Sequence, residues 1–288
     1  MSENPIIAIM YDFDRTLSVE DMQNFKFIPK LGMEIGEFWN EANTLAKNES
    51  MDGILAYMFT MVQKAKEKNI NFSHDFLVDT GRDIKFFPGV EDWFDRINKF
   101  GEENGVTIEH YVISSGLNEI ISGCAIRDKF KKIYASEFLY DDNGTPIWAK
   151  IAVNYTNKTQ FIYRINKGIL DISEDKALNA SMPDNSKRVP FRNMIYIGDG
   201  LSDVPCMKMV KAYGGQSIAV YGSDVRIDPD KFKNVQDLLK NDRVDYIFEA
   251  DYTDGSQLDT TMKNIIKKMS INDTLIAESA KQKGSISE

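Results

Sequence analysis

Apolar positions along this chain fall into two kinds of run. Some are short and nearly continuous: Ile6 to Tyr11 (IIAIMY), Val106 to Ile113 (VTIEHYVI), Met194 to Ile197 (MIYI), Ser217 to Tyr221 and Asp245 to Glu249. Runs of about four to eight residues of this kind predict strands, and the continuous ones predict strands buried on both faces of a parallel sheet. Others repeat at helical spacing. Between 52 and 68, Leu55, Met58, Phe59, Val62 and Ala65 recur at i, i+3, i+4, i+7 and i+10, one face of a helix. Helices are likewise expected at 33–47, from Ser73 to near Gly81, and at Val90 to Phe100, where Val90, Trp93, Phe94 and Ile97 make the apolar stripe. Further helices are expected at Leu117 to Cys124, Thr159 to Ile169 and Gln257 to Met269. Asn143-Gly144, between apolar runs in 138–153, is a hairpin signal. Leu170 to Arg192 reads as loop-rich, and the tail from Ala277 as frayed.

Strand–helix alternation over most of the chain predicts an α/β fold, a doubly wound parallel sheet with a β-hairpin beside it. The alternation is interrupted once, by a stretch without strand-like runs. The expected division is therefore a Rossmann-like catalytic core of 1–17 and 86–288 and a small all-helical domain of 18–85.

Composition narrows the function. With 42% hydrophobic and 27% charged residues, the chain is ordinary globular protein with material for a sizeable core. A net charge of −9 disfavours a nucleic-acid surface, so an anionic substrate needs local positive charge or a metal. Cys124 and Cys206 alone imply no disulfide framework and fit a reducing compartment. The start, MSENPIIAIMYDFD, lacks a basic n-region, and no apolar run approaches membrane-spanning length. The expectation is a cytoplasmic protein with no membrane partner.

Candidate chemistry gathers where apolar runs end. The first run meets Asp12-Phe13-Asp14-Arg15-Thr16, and alternation puts Asp12 and Asp14 on one side of an extended chain. Carboxyl ends of strands are where open α/β sheets bind ligands. Crowding two acids there is costly, and a hard divalent cation such as Mg²⁺ removes that cost. Ser114-Ser115-Gly116 follows the second run, Lys158 opens a helix, and Gly198-Asp199-Gly200-Leu201-Ser202-Asp203 follows MIYI. Ser114 competes with Ser115, and Lys150 with Lys158, for an anion-binding role. His74 and His110 show no metal-ligand spacing and read as surface or structural.

In order, DFDRTL, VISSG, Lys158 and GDGLSD resemble the four motifs of the haloacid dehalogenase (HAD) superfamily, chiefly its phosphatases. The resemblance implies an HAD-like core with a helical cap at 18–85, and hydrolysis of a small phosphorylated metabolite. It implies that Asp12 is the nucleophile that becomes an aspartyl-phosphate, and that Asp14 protonates the leaving oxygen and then activates water. Asp12, the main-chain carbonyl of Asp14, and Asp199 would hold Mg²⁺. Ser115, the Gly116 amide and Lys158 would bind phosphate, while Asp203 would support the metal shell or orient Lys158. Phosphoryl transfer needs this charge compensation, because a carboxylate attacking a phosphate dianion is repelled.

An insertion between the first and second motifs, Pro88-Gly89 and the hairpin resemble the phosphoserine-phosphatase-like branch. That branch carries an early acid, for which Glu20 or Asp21 is available, and a cap arginine. No arginine occurs between Arg15 and Arg82, and lysine is not an equivalent fork for a carboxylate. Arg15 is also bulkier than the small residue usual there. Phe25, Phe27, Trp39, Tyr57 and Phe59 are either pocket walls or cap core. Competing readings of the same site are phosphotransfer or mutase chemistry, phosphoserine phosphatase, and a catalytically silent binding protein.

Overall fold

The computed structural model describes residues 4–286. Its strands are β1 (Ile6–Tyr11), β2 (Thr107–Leu117), β3 (Lys132–Tyr140), β4 (Pro146–Ile151), β5 (Met194–Gly198), β6 (Gln216–Tyr221) and β7 (Tyr246–Glu249). They form one sheet in the order β4-β3-β2-β1-β5-β6-β7. All neighbours are parallel except β3 and β4, the expected hairpin. Helices α1 (Phe27–Lys30), α2 (Ile35–Asn48), α3 (Gly53–Glu67) and α4 (His74–Gly81) lie between β1 and β2 with α5 (Val90–Glu103). The rest are α6 (Asn118–Ser122), α7 (Lys158–Lys167), α8 (Asp175–Asn179), α9 (Val204–Ala212), α10 (Ser223–Ile227), α11 (Pro229–Lys240) and α12 (Gln257–Ile286). None is long and apolar enough to cross a membrane among the described residues.

Alternation along β1 explains why this strand is central. Ile7, Ile9 and Tyr11 enter one buried cluster and Ala8 and Met10 the other, so both faces are covered. Successive parallel strands step outward from β1 through β2 to β3, then restart at β5 and step the other way to β7. The reversal lies between β1 and β5. Their carboxyl ends therefore border the crevice where doubly wound sheets take ligands.

Between Ser18 and Lys85 the described residues form helices and turns, with an isolated bridge from Ser18 to Phe86 at the neck. Asp52 caps α3 by accepting from the amides of Ile54 and Leu55, and Ser73 caps α4 through Phe76. The helices share the sheet's apolar cluster: Phe27, Phe38, Met58 and Met61 are buried with Ile7, Tyr11 and Phe13. Helix α4 meets α6 backbone to backbone. A Cβ on Gly81 would stand 2.0 Å from the Ile120 carbonyl oxygen, and one on Gly123 1.8 Å from that of Val78.

Three expectations need correction. Strand β2 continues through Ser114, Ser115 and Gly116 to Leu117, so α6 begins at Asn118 rather than at Leu117. Helices α9, α10 and α11 follow the fourth motif and β6, where none was expected. The tail is helical to Ile286, not frayed from Ala277. Asp273, taken up by Arg192 and Asn193, ties α12 to the sheet, and good helix formers carry it onward.

A buried polar chain crosses the core beneath β1. Trp93 donates to the Tyr11 hydroxyl (2.9 Å), which donates to His110 Nδ1 (3.0 Å), leaving His110 Nε2–H for Asn98 Oδ1 (2.9 Å). Burial holds His110 neutral, its pKa lowered from 6.5 to about 3.

Two outcomes are expected. Gly123→Ala should cost about 1–3 kcal/mol in denaturant unfolding because backbone must shift, whereas Gly36→Ala, with open space, should be neutral or stabilising. Below pH 6.5 the unfolded chain protonates His110 while the folded chain does not, so the contribution of His110 to stability should fall toward pH 3. The slope is at most about 1.4 kcal/mol per pH unit, and His110→Gln should flatten it in unfolding curves at pH 7 and 5.

Candidate active site

The end of β1 stays tied to β5 past the strand itself, because the Asp12 amide donates to the Ile197 carbonyl (2.9 Å). The next residues fold into a tight turn in which the Phe13 carbonyl accepts from the amides of Leu17 (2.9 Å) and Ser18 (3.1 Å). Arg15 sits in this turn in the left-handed region (φ 57°). Its guanidinium grips Asp21 with two bonds, Nε to Oδ1 at 3.2 Å and Nη2 to Oδ2 at 3.0 Å. Asp12 Oδ1 accepts from the Phe13 amide (2.7 Å), which fixes the carboxylate's rotation. Asp14 Oδ1 accepts from the Met22 amide (2.8 Å), so this carboxylate faces the helical insertion.

Lys158 is the first residue of α7 and has no solvent exposure. Its ammonium bridges Asp12 Oδ2 (3.1 Å) and Asp203 Oδ1 (2.8 Å), and Asp203 Oδ1 also accepts from the Tyr196 hydroxyl (2.8 Å). Gly198 lets this happen: a Cβ there would lie 2.4 Å from Asp203 Oδ2. Lys150, the competing lysine, pairs with Glu137 on the exposed hairpin (2.7 Å). Asp12, Asp199 and Asp203 each offer an oxygen within 4.8 Å of the others. Asp203 Oδ2 is buried without a hydrogen-bond partner. A buried acceptor of this kind beside two more carboxylates suits a divalent cation bound through oxygen. The Asp14 carboxylate stands outside that group, and the resemblance asked only its main-chain carbonyl to join.

The two serines are placed differently. Ser114 is fully buried, its hydroxyl accepting from the Gly116 amide (3.0 Å), while Ser115 is partly exposed. The Gly116 amide, expected with Ser115 at the phosphate, donates to Ser114 Oγ in the last stretch of β2, before α6 begins. The Ser115 carbonyl accepts from the Tyr57 hydroxyl (2.8 Å) and from Ser136 Oγ (3.2 Å). Of the aromatics in the helical insertion, Phe27 is interior packing against Phe38, and Phe59 faces outward. Trp39 meets Tyr57 edge to face and donates to Asn24 Oδ1 (3.1 Å).

Electrostatics follow from crowding. Burial raises Asp12 to about 7, with Asp203 adding to the rise and Lys158 opposing it. Burial raises Asp14 well above the carboxylate range, with Asp21 and Asp12 pushing the same way. Asp199 is raised by burial and then by Asp203 and Asp12. Burial alone would lower Lys158, but Asp12 and Asp203 outweigh it and keep the ammonium charged. A cavity of about 90 Å³ reaches Asp199 past Arg15, Val19 and Phe87.

Tyr196, Tyr57, Ser136 and Met22 contribute to this geometry without having been singled out for it by the sequence reading. Tyr196 lies in a run read only as apolar; a hydroxyl on that buried strand, before a paired Gly-Asp, was the available signal.

A family model of the haloacid dehalogenase-like hydrolases matches residues 9–208. An uncharacterized protein of Borreliella burgdorferi is 30% identical over 283 residues, covering 88% of this chain and 94% of its own. A probable phosphoserine phosphatase from Vibrio cholerae superposes with a TM-score of 0.53 at 12% identity, over 95% of this chain and 69% of that one. An HAD family hydrolase from Salmonella enterica serovar Typhi gives 0.51 at 17% identity, over 78% of this chain and 66% of that one. At such identities the two structures speak to fold. The family match takes in β1, the insertion, β2 and β5, well over half the chain, and the protein belongs to the haloacid dehalogenase-like hydrolases.

Proposed function

We propose that this protein is a Mg²⁺-dependent phosphatase that hydrolyses a small-molecule phosphomonoester through an aspartyl-phosphate on Asp12, with residues 18–85 acting as the cap. The observation that carries this reading is the placement of Asp12, its carboxylate held between the Phe13 amide and Lys158 and next to Asp199 and Asp203. That arrangement orients a nucleophile and balances charge where a phosphoryl group would arrive.

Asp12 attacks phosphorus, forming its O–P bond as the ester O–P bond breaks, and Asp14 gives its proton to the departing oxygen. Asp14 suits this task because burial, with Asp21 and Asp12 adding to it, pushes its pKa upward and so favours the protonated acid. Asp14 then takes a proton from water, whose oxygen attacks phosphorus and releases Asp12 and orthophosphate. Lys158 and Ser115 hold the phosphoryl oxygens. Asp12, Asp199 and the Asp14 carbonyl would hold Mg²⁺, with Asp203 behind them, and when bound the ion supplies charge neutralisation at the phosphoryl group.

For the substrate, the geometry argues against a carboxylate clamp like one that would read phosphoserine. No arginine lies between Arg15 and Arg82, and Arg15 is already committed to Asp21 by two bonds. A phosphomonoester whose leaving group carries no carboxylate fits better.

Purified protein with Mg²⁺ should hydrolyse an aryl phosphate such as p-nitrophenyl phosphate, and chelation should stop it reversibly. Asp12→Asn should lower kcat on the order of a thousandfold or more. A wild type inactive across a broad phosphomonoester panel would sink the proposal. In that panel phosphoserine should not have the highest kcat/KM; if it leads, the argument from the missing arginine fails.

A further inference from the structure

We infer that Tyr57 is a positioning residue for Ser115, acting through a hydrogen-bond circuit that ties α3 to both phosphate-handling turns. The inference rests on the phosphatase reading for what Ser115 and Lys158 do, but the circuit itself is geometric. It starts at the first turn of α3. Asp52 caps that helix with Oδ1, accepting from the amides of Ile54 (2.9 Å) and Leu55 (3.1 Å). Its other oxygen accepts from Asn154 Nδ2 (2.8 Å), across to the turn that launches α7. The Asn154 carbonyl accepts from the Lys158 amide (3.1 Å), so this residue also sets where Lys158 begins.

From Asn154 the circuit returns along the sheet edge. The amide of its neighbour Val153 donates to Ser136 Oγ (3.0 Å), and that hydroxyl donates to the Ser115 carbonyl (3.2 Å). Tyr57, on the next turn of α3, donates to the same carbonyl and closes the loop (2.8 Å).

The chemistry lies in which peptide is being held. The carbonyl of Ser115 and the amide of Gly116 belong to one planar unit. Its oxygen takes two hydroxyl donors, and its N–H is spent on Ser114 Oγ (3.0 Å). Three bonds therefore fix the plane from which the Ser115 side chain projects. Ser114 and Ser136 come from β2 and β3; Tyr57 alone comes from the insertion. It is 4% exposed, with its ring against Trp39 at 5.8 Å, so the hydroxyl has little freedom to turn away. Asp52 and Tyr57 together mean that one placement of α3 sets the Ser115 peptide and the start of the Lys158 helix at once.

Tyr57→Phe removes one oxygen and leaves the ring contacts. The test is binding of inorganic phosphate, with Mg²⁺ present, to the full chain by titration calorimetry. Tyr57→Phe should weaken orthophosphate affinity about tenfold and lower kcat/KM on an aryl phosphate in parallel, with the unfolding midpoint little changed. Asn154→Ala, remote from the hydroxyl, should act in the same direction. The double variant should be little worse than the poorer single one, because both cut the same loop. Unchanged phosphate affinity in Tyr57→Phe, or independent multiplication of the two losses, overturns the circuit while leaving the phosphatase reading intact. A wild type that neither binds orthophosphate nor turns over any phosphomonoester overturns the reading beneath it.

Discussion

Lys158 is a fully buried ammonium between Asp12 and Asp203, and the rest of the site is arranged around the need to keep it there. Burying a cation is unfavourable unless it is paired and hydrogen-bonded. Here the pairing is oversupplied. Asp12, Asp14, Asp199 and Asp203 crowd the carboxyl ends of β1 and β5, and Arg15, the other nearby cation, is spent on Asp21. The raised positions of Asp12, Asp14 and Asp199 express the same imbalance, since protonation is one way to relieve it. A divalent cation at the Asp12–Asp199–Asp203 cluster would be another, and it would leave the Asp12 carboxylate ionised. Charge balance thus links Lys158, a cation held by these acids and the ionised state of Asp12 into one requirement.

The fold meets that requirement through register. β1 and β5 are adjacent and parallel, with Tyr11 opposite Ile197, so Asp12 and Asp199 leave the sheet close together. Asp203 reaches back to Lys158 only because Gly198 has no side chain in its path. Tyr196, one strand position on from Ile195, adds the hydroxyl that holds Asp203 on the same oxygen as the lysine. The other Asp203 oxygen is buried without a hydrogen-bond partner.

How much of this was legible depended on the range of the signal. β1, the hairpin and the helices α3 and α4 were legible because their evidence is local: continuous apolar runs, Asn143-Gly144, the helical spacing from Leu55 to Ala65, and Ser73 ahead of α4. Asp12, Asp199 and Lys158 were legible as polar residues placed at element ends, and the structure brings them together. What escaped depends on distant partners. The bond from the Gly116 amide to Ser114 was not legible, because Ser114 was weighed only against Ser115 and not as a brace. The length of α12 escaped because Asp273 is anchored by residues on the far side of the chain. Tyr57 and Trp39 could not be told from packing, since aromatic residues on an amphipathic helix look alike until one hydroxyl finds a carbonyl.

The insertion is attached to the core by contacts of unequal strength, and this matters for chemistry. α4 rests on α6 through glycines that allow no intervening atom, a contact that tolerates little sliding. The hold of α3 on the end of β2 and on the segment that launches α7 is of another kind: Tyr57 to Ser115 and Asp52 to Asn154. Each such bond is worth about 0.5–1.5 kcal/mol net, so the pair is comparable to a few times thermal energy. That is enough to bias the orientation of α3, whose position is held as well by Met58 and Met61 in the sheet's apolar cluster. Any ligand of Lys158 or Asp203 has to reach side chains that have no exposure at all. The Tyr57 and Asp52 bonds thus set the orientation of a helix that the apolar core keeps in place, and with it the plane of the Ser115 peptide.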